Sequence, residues 1–293
     1  MTKSPTATNT ALVEKTNTAL VAPSDEDVSL FATLSGEGNE NITSADVAIP
    51  RLLLLQSMSP QVKRTEAAYV EGAQEGMFIN TLTNELLGES ATIIDCHYLA
   101  VEAEWIPRAK GGGFRGAHAV GSPITISAKE DPERRGRMVL PNGNDLVRTA
   151  QHFVLVQSPV TGSWTQCLLA LTGTQLKHGR RLNALLSNII LRDSAGNVLK
   201  GTGGNALTAP RFAVVIKLST RTERNDQGSW FVISPEVARW VTRDELIEAK
   251  IFRDSIARGE VKVDLGADVG ENAVGSTIDG TAERPVDSDE IPF

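Results

Sequence analysis

Residues 146–190 read LVRTAQHFVLVQ (146–157), SPVTG (158–162), SWTQCLLAL (163–171) and TGTQLKHGRRLNALLSNII (172–190). The first and third pieces are dominated by apolar, β-branched and aromatic residues. A turn containing Pro159 and Gly162 separates them, which predicts two joined strands. In the fourth piece Leu182, Leu185, Leu186, Ile189 and Ile190 recur at the helical period and define one apolar stripe. Lys177, Arg180 and Arg181 lie in the first turns of that helix, off the stripe. Upstream, TIIDCHYLAVEAEWI (92–106) reads as one long, bent strand. Downstream, Arg211–Thr220 and Ser229–Ile233 read as two strands around the polar turn 223–228.

From residue 90 the order is strand, strand, strand, helix, strand, strand. A five-stranded OB barrel has that order, with its helix between strands three and four. The expected fold is therefore mainly β with helices: an OB-like five-stranded barrel with insertions and disordered termini. A generic α+β domain is the other architecture the order allows. Around this frame, Arg51–Gln56 is a short apolar run, and Gly76–Leu82 and Glu85–Leu87 flank a hairpin turn at Thr83 and Asn84. Residues 107–116 read as a loop and Pro123–Ala128 as a short strand. Residues 141–144 (PNGN) mark a turn between Met138–Leu140 and the strand from Leu146. The glycine-bearing stretch 193–210 reads as a loop, and no internal repeat is expected. Ser234, Pro235 and Glu236 have the residue types of a helix start. Thr242 and Glu245 form a capping-box pattern for a helix to about Arg258. Residues 1–46 lack sustained periodicity and read as a disordered acidic arm, with a helix at Thr10–Val21 as the alternative. Residues 47–260 form the folded body, and residues 261–293 a disordered acidic tail.

The chain has 293 residues and a formal net charge of −7. As a bulk value that argues against nucleic acid. The charge is unevenly placed, however. Residues 1–46 carry two basic and seven acidic groups, and residues 261–293 carry two and eight. Residues 105–224 carry 17 basic and six acidic groups, net +11. The body is basic and the ends are acidic. The longest apolar runs, such as Leu52–Leu55, fall far short of the roughly 20 residues of a membrane helix, and the N-terminus has no signal-peptide core. No membrane association is expected. Two scattered cysteines, Cys96 and Cys167, suit a reducing cytoplasm.

Catalytic patterns are weak. His97, His118, His152 and His178 have no metal-ligand spacing. Gly111, Gly113 and Gly116 match the dinucleotide fingerprint, but no helix is expected after them. Glu102 and Glu104 could share a strand face without a third carboxylate. The expectation is a non-enzyme without metal or cofactor. A sequence-tolerant single-strand binder needs cations for phosphates and aromatic faces for bases. The candidates are Trp105, Arg108, Lys110, Phe114, Arg115, Arg148, Phe153, Trp164, Lys177, Arg180, Arg181, Arg211, Lys217, Arg221 and Trp230, with Phe212, Arg224 and Phe231 interleaved. The loop from Arg108 to Arg115 is the best local candidate, because its glycines let a phosphate approach and Phe114 stands at its tip. Each aromatic has a place in the core as its competing role.

The last seven residues are Asp287, Ser288, Asp289, Glu290, Ile291, Pro292 and Phe293. Acids that a basic surface attracts lead into an apolar end that fits a hole. This ending resembles the tail of bacterial single-stranded DNA-binding proteins, in which acidic residues precede Ile-Pro-Phe. With the long linker and large body, the chain looks similar to phage-encoded members. The resemblance implies coating of single-stranded DNA during replication, recombination and repair. It implies that Asp287, Asp289, Glu290, Ile291, Pro292 and Phe293 recruit replication and recombination proteins, and that the tail competes with DNA for the basic groove. It also implies the bacterial host's cytoplasm, and it leaves a homo-oligomer open. The alternatives are a phage structural or scaffolding protein with an acidic interaction tail, and, behind it, a DNA-processing nuclease.

Overall fold

The computed structural model describes residues 24–35, 37–38, 40, 49–134, 136–226 and 228–261. Residues 1–43 and 44–293 are separate compact units. The described part of the first holds one helix, α1 (Asp25–Thr33), inside the arm expected to lack structure. The Ser24 side chain accepts from the Asp27 amide, while Asp27 accepts from Ser24 in return, so the helix start is capped reciprocally. The alternative helix at Thr10–Val21 and the acidic tail lie outside the described residues.

In the second unit the strands are β1 (Leu52–Leu54), β2 (Phe78–Asn80), β3 (Glu85–Gly88), β4 (Ser90–Trp105), β5 (Phe114–Ala119), β6 (Lys129–Glu130), β7 (Met138–Val139), β8 (Asp145–Gln157), β9 (Trp164–Thr172), β10 (Val214–Asn225) and β11 (Gly228–Trp240). The helices are α2 (Pro123–Ile126), α3 (Leu176–Ser187) and α4 (Arg243–Ala257). No helix among the described residues is long and apolar enough to cross a membrane.

Strand β4 organises the sheet. One edge pairs with β8 from Ile93 to Trp105. The other edge is shared, β10 taking residues 90–93 and β5 taking residues 101–105. A bulge between Asp95 and His97 bends the strand as its length demanded. The five long strands stand in the order β9-β8-β4-β10-β11, all antiparallel, in a curled sheet that forms a half-barrel.

A closed five-stranded barrel is not what the structure shows. Among the described residues β9 and β11 do not pair. The seam between them is filled by β1 and two side-chain amides. Pro50 accepts from the Leu168 amide on β9. Two residues past β1, Gln56 donates to the Phe231 carbonyl (3.0 Å) and accepts from the Phe231 amide (2.9 Å). Gln175 also donates to that carbonyl, at 2.7 Å, and accepts from the Ile233 amide. Pro235, next on the same edge, has no N–H to offer. The free edge of β11 is thus satisfied and blunted without another strand.

Two apolar layers sandwich the sheet. The inner layer includes Phe78, Ile93, Val154, Leu169, Ile216 and Ile233, and is covered by Leu182 and Leu186 of α3. The outer layer includes Ile94, Phe153, Leu155 and Leu168, and is covered by Ala249 and Phe252 of α4. Helix α4 is seated by Glu245, which joins Thr242 in the expected capping box and grips Arg239 of β11 through two 2.7 Å bonds. The Arg239 bonds, opposed by partial burial and aided by the Thr242 amide, hold its carboxyl down at about 2.

Several local expectations change. Residues 114–119 form a strand, because they find the free edge of β4. Pro123–Ile126 is a single helical turn, capped by Ser122. Ser234, Pro235 and Glu236 continue β11, because the ladder to β10 outweighs their local helix preference. Stretch 191–207 is an ordered double turn carrying an internal repeat, not a plain loop.

Gly179 of α3 lies close against the sheet. A Cβ there would meet Leu171 Cδ1 at 3.1 Å and His152 Nε2 at 3.5 Å. Gly179→Val should therefore destabilise the fold by about 1–3 kcal/mol, measured by urea unfolding. A neutral outcome would mean that α3 can shift without penalty.

Candidate nucleic-acid interface

The candidate residues divide into three groups. The first is structural. Asp95, fully buried on β4, accepts two bonds from Arg211, at 2.8 and 2.6 Å. It also lies 2.8 Å from Nδ1 of the fully buried His152 on β8. Arg211 donates further to Asn183 of α3 (2.7 Å) and lies over the Tyr98 ring. Burial raises the Asp95 pKa, but His152 and Arg211 outweigh it and hold the carboxyl below its ordinary range. Arg211, expected to bind DNA, is instead the counterion of a buried acid.

The expected aromatic platforms are largely core as well. Phe153 is 2% exposed and packs against Phe252 of α4. Trp105, Phe114, Trp164 and Phe212 are partly buried in the same outer layer. Phe114 pairs in register with Trp105, their rings 5.3 Å apart, so it is not a mobile tip. Strand alternation could not reveal this, because a helix distant in sequence supplies the cover.

The second group stands at the C-terminal end of β4. Arg115 is exposed on β5, and Lys110, in the β4–β5 connection, donates to the Asn142 carbonyl in the β7–β8 turn. The side chain of residue 108 is not described. Arg148 is committed to Glu102 at 2.9 Å. Glu104 does not share the Arg148 partner of Glu102. It is tied to Asn142, Asn144 and His118, which overcome its burial and lower its pKa. Among the described residues no cluster of metal-ligating side chains is present.

The third group gathers. Lys177 and His178, at the start of α3, lie 2.6 and 3.3 Å from Glu223 of β10, and Arg221 lies 3.2 Å from it. Arg180 and Arg181 occupy the next turn of α3, exposed and without an ion pair among the described residues. Arg224 follows Glu223 on the strand, and Trp230 pairs with Glu223 across the hairpin. Trp230 Nε1 is buried without a hydrogen-bond partner among the described residues. Burial lowers the His178 pKa despite the opposing pull of Glu223, with Lys177 and Arg221 adding to the lowering. Glu223 itself would be raised by burial, but Lys177, His178 and Arg221 draw it down. Lys177 and Arg221 thus flank one carboxylate, with Arg180 and Arg181 on the next turn of α3, while Arg224, adjacent to Glu223 on the strand, faces the other side of the sheet. Lys217 is exposed on β10, four residues before Arg221.

The second and third groups do not meet. Ser219 of β10 pairs with Ser90, at the start of β4, whereas Arg115 is borne by β5 at its end. Roughly 50 Å of extended chain separates those ends.

A protein-family model described as Pam3 phage gp34-like protein matches residues 16–262. The chain belongs to that family. Comparison with curated proteins and comparison with solved structures each give no match. The family assignment agrees with the expected phage origin. The gp34-like match spans the folded body and stops before the acidic terminus at 287–293, which lies outside the described residues. Within this gp34-like body, the grouping of α3 with the β10–β11 hairpin was not evident from sequence. Only the cation content of each segment hinted at it.

The buried charge cluster has a pH signature. Because the folded Asp95 pKa is depressed, its contribution is present above the ordinary carboxylate value of about 3.9. It is lost as pH falls through the lower folded value. Arg211→Met should cost about 3–5 kcal/mol at pH 7 by leaving a buried charge unpaired, and should flatten that acid loss. Urea midpoints between pH 7 and 3 measure both. A variant as stable as the wild type would show that Arg211 is not what holds Asp95.

Proposed function

We propose that this gp34-like protein binds single-stranded DNA with little sequence preference and serves phage replication and recombination. The observation that carries the reading is the grouping of Lys177 and Arg221 at Glu223, with Arg180 and Arg181 on the next turn of α3 and Trp230 paired with Glu223 across the hairpin. Arg181 and Arg221, 40 positions apart, belong to two elements that bring like charges to one side of the sheet. That arrangement costs stability unless an anion is bound, and it suits a polyphosphate chain. The order of the long strands supports the same reading, with α3 between the third and fourth. The patch stands on strands four and five, whose connecting loop contacts oligonucleotides in OB folds. Outer-face stacking is not part of the proposal, because α4 covers that face. Contacts are led by phosphate, with Trp230 as the aromatic at hand. The acidic terminus at 287–293 recruits replication and recombination proteins and competes with DNA for the patch.

Titration with oligo-dT should quench tryptophan emission, with affinity falling steeply as salt rises. Joint replacement of Arg180, Arg181 and Arg221 by Ala should lower the slope of log K against log salt by about 0.7 for each phosphate that is no longer neutralised. Replacing Lys110 and Arg115 should change it less. Unchanged affinity in the triple variant would overturn the assignment of the patch. Deleting residues 287–293 should leave affinity equal or higher, since a competing anion is gone. Weaker binding would contradict the competition.

A further inference from the structure

Residues 191–206 are two copies of an eight-residue unit. LRDSAGNV (191–198) is followed by LKGTGGNA (199–206), and then by Leu207. The two copies fold alike. In the first, the Leu199 amide donates to Leu191, the Asp193 amide to Asn197, and the Gly196 amide to Asp193. In the second, the Leu207 amide donates to Leu199, the Gly201 amide to Asn205, and the Gly204 amide to Gly201. Gly196 and Gly204 share the left-handed conformation, at φ 85° and 77°. The Leu191 amide closes the pair by donating to Leu207.

The copies differ at one chemically decisive position. In the first, the Asp193 carboxylate sits inside the turn. It accepts from the Ala195 amide (2.9 Å), the Asn197 amide (2.9 Å) and Asn197 Nδ2 (3.1 Å). Those donors hold its pKa down. In the second copy the same position is Gly201. The matching donors, the amides of Gly203 and Asn205 and the Asn205 side chain, have no acceptor among the described residues. The turn is exposed, and Gly203 and Gly204 carry no side chain to obstruct approach. Lys200 stands beside it, exposed. Convergent backbone amides of this kind make an anion-binding concavity. The first copy shows that this concavity takes an oxyanion.

We propose that the turn 201–205 is an oxyanion nest that holds a backbone phosphate of single-stranded DNA. This rests on the function proposed above, and deepens it by adding a contact point outside the α3 patch.

Two titrations of the full-length protein test it. With inorganic phosphate, the amide resonances of Gly203, Gly204 and Asn205 should shift and saturate. In Gly201→Asp they should not, because the new carboxylate fills the nest as Asp193 fills its own. The same variant should keep its melting temperature and bind oligo-dT about tenfold more weakly. Gly201→Ala should bind like the wild type. Thr202→Asp, which adds the charge without filling the nest, should lose far less than Gly201→Asp. Absence of phosphate shifts in the wild type overturns the nest. Phosphate shifts with unchanged oligonucleotide affinity in Gly201→Asp overturn its assignment to DNA. If the wild type binds no oligonucleotide at all, the proposed function fails, while the phosphate titration still reads the nest.

Discussion

A carboxylate buried at the middle of β4 constrains the whole body. Asp95 is fully buried, and an unpaired charge in such a place would be prohibitive. The fold must bring Arg211 and His152 to it, and Asn183 is then fixed by the same guanidinium. Those residues lie on β8, on α3 and just before β10. Once the acid is satisfied, the neighbours of β4 and the placement of α3 are no longer free. The apolar layers on the two faces supply more energy, but apolar contacts tolerate sliding. Bidentate bonds to a buried charge do not.

The same placement assembles the proposed site. Helix α3 packs closely on the sheet at Gly179, and in its first turns Lys177 and His178 meet Glu223, which Arg221 also pairs. Helix α4, clamped by Arg239 and Glu245, takes the opposite course and covers the outer face of β4 and β8. A surface that an open half-barrel could offer to bases is thereby spent on packing. The proposed site that remains is chiefly electrostatic, which agrees with a protein whose body is basic and whose ends are acidic.

The tandem repeat at 191–206 was legible letter by letter, yet its glycines resembled an ordinary loop. Only the matching backbone bonds show that the two octads are one design used twice. The change from Asp193 to Gly201 is therefore a difference at equivalent positions, and not mere loop variation.

Amino-acid order by itself determined the long strands, α3, the Thr242 cap of α4, the hairpin at 83–84 and the uneven charge. These follow from periodicity, propensity and local turn chemistry, which act over a few residues. Tertiary structure alone decided which charges are free and which aromatics are covered. Arg211 and Arg181 are alike in sequence. One neutralises Asp95, 116 positions away, and the other faces solvent. Phe153 and Trp230 both lie on strands, and only the fold shows that Phe153 is sealed by Phe252 of a helix about 100 positions away. Burial and pairing depend on contacts between segments far apart in the chain, and no local pattern encodes them.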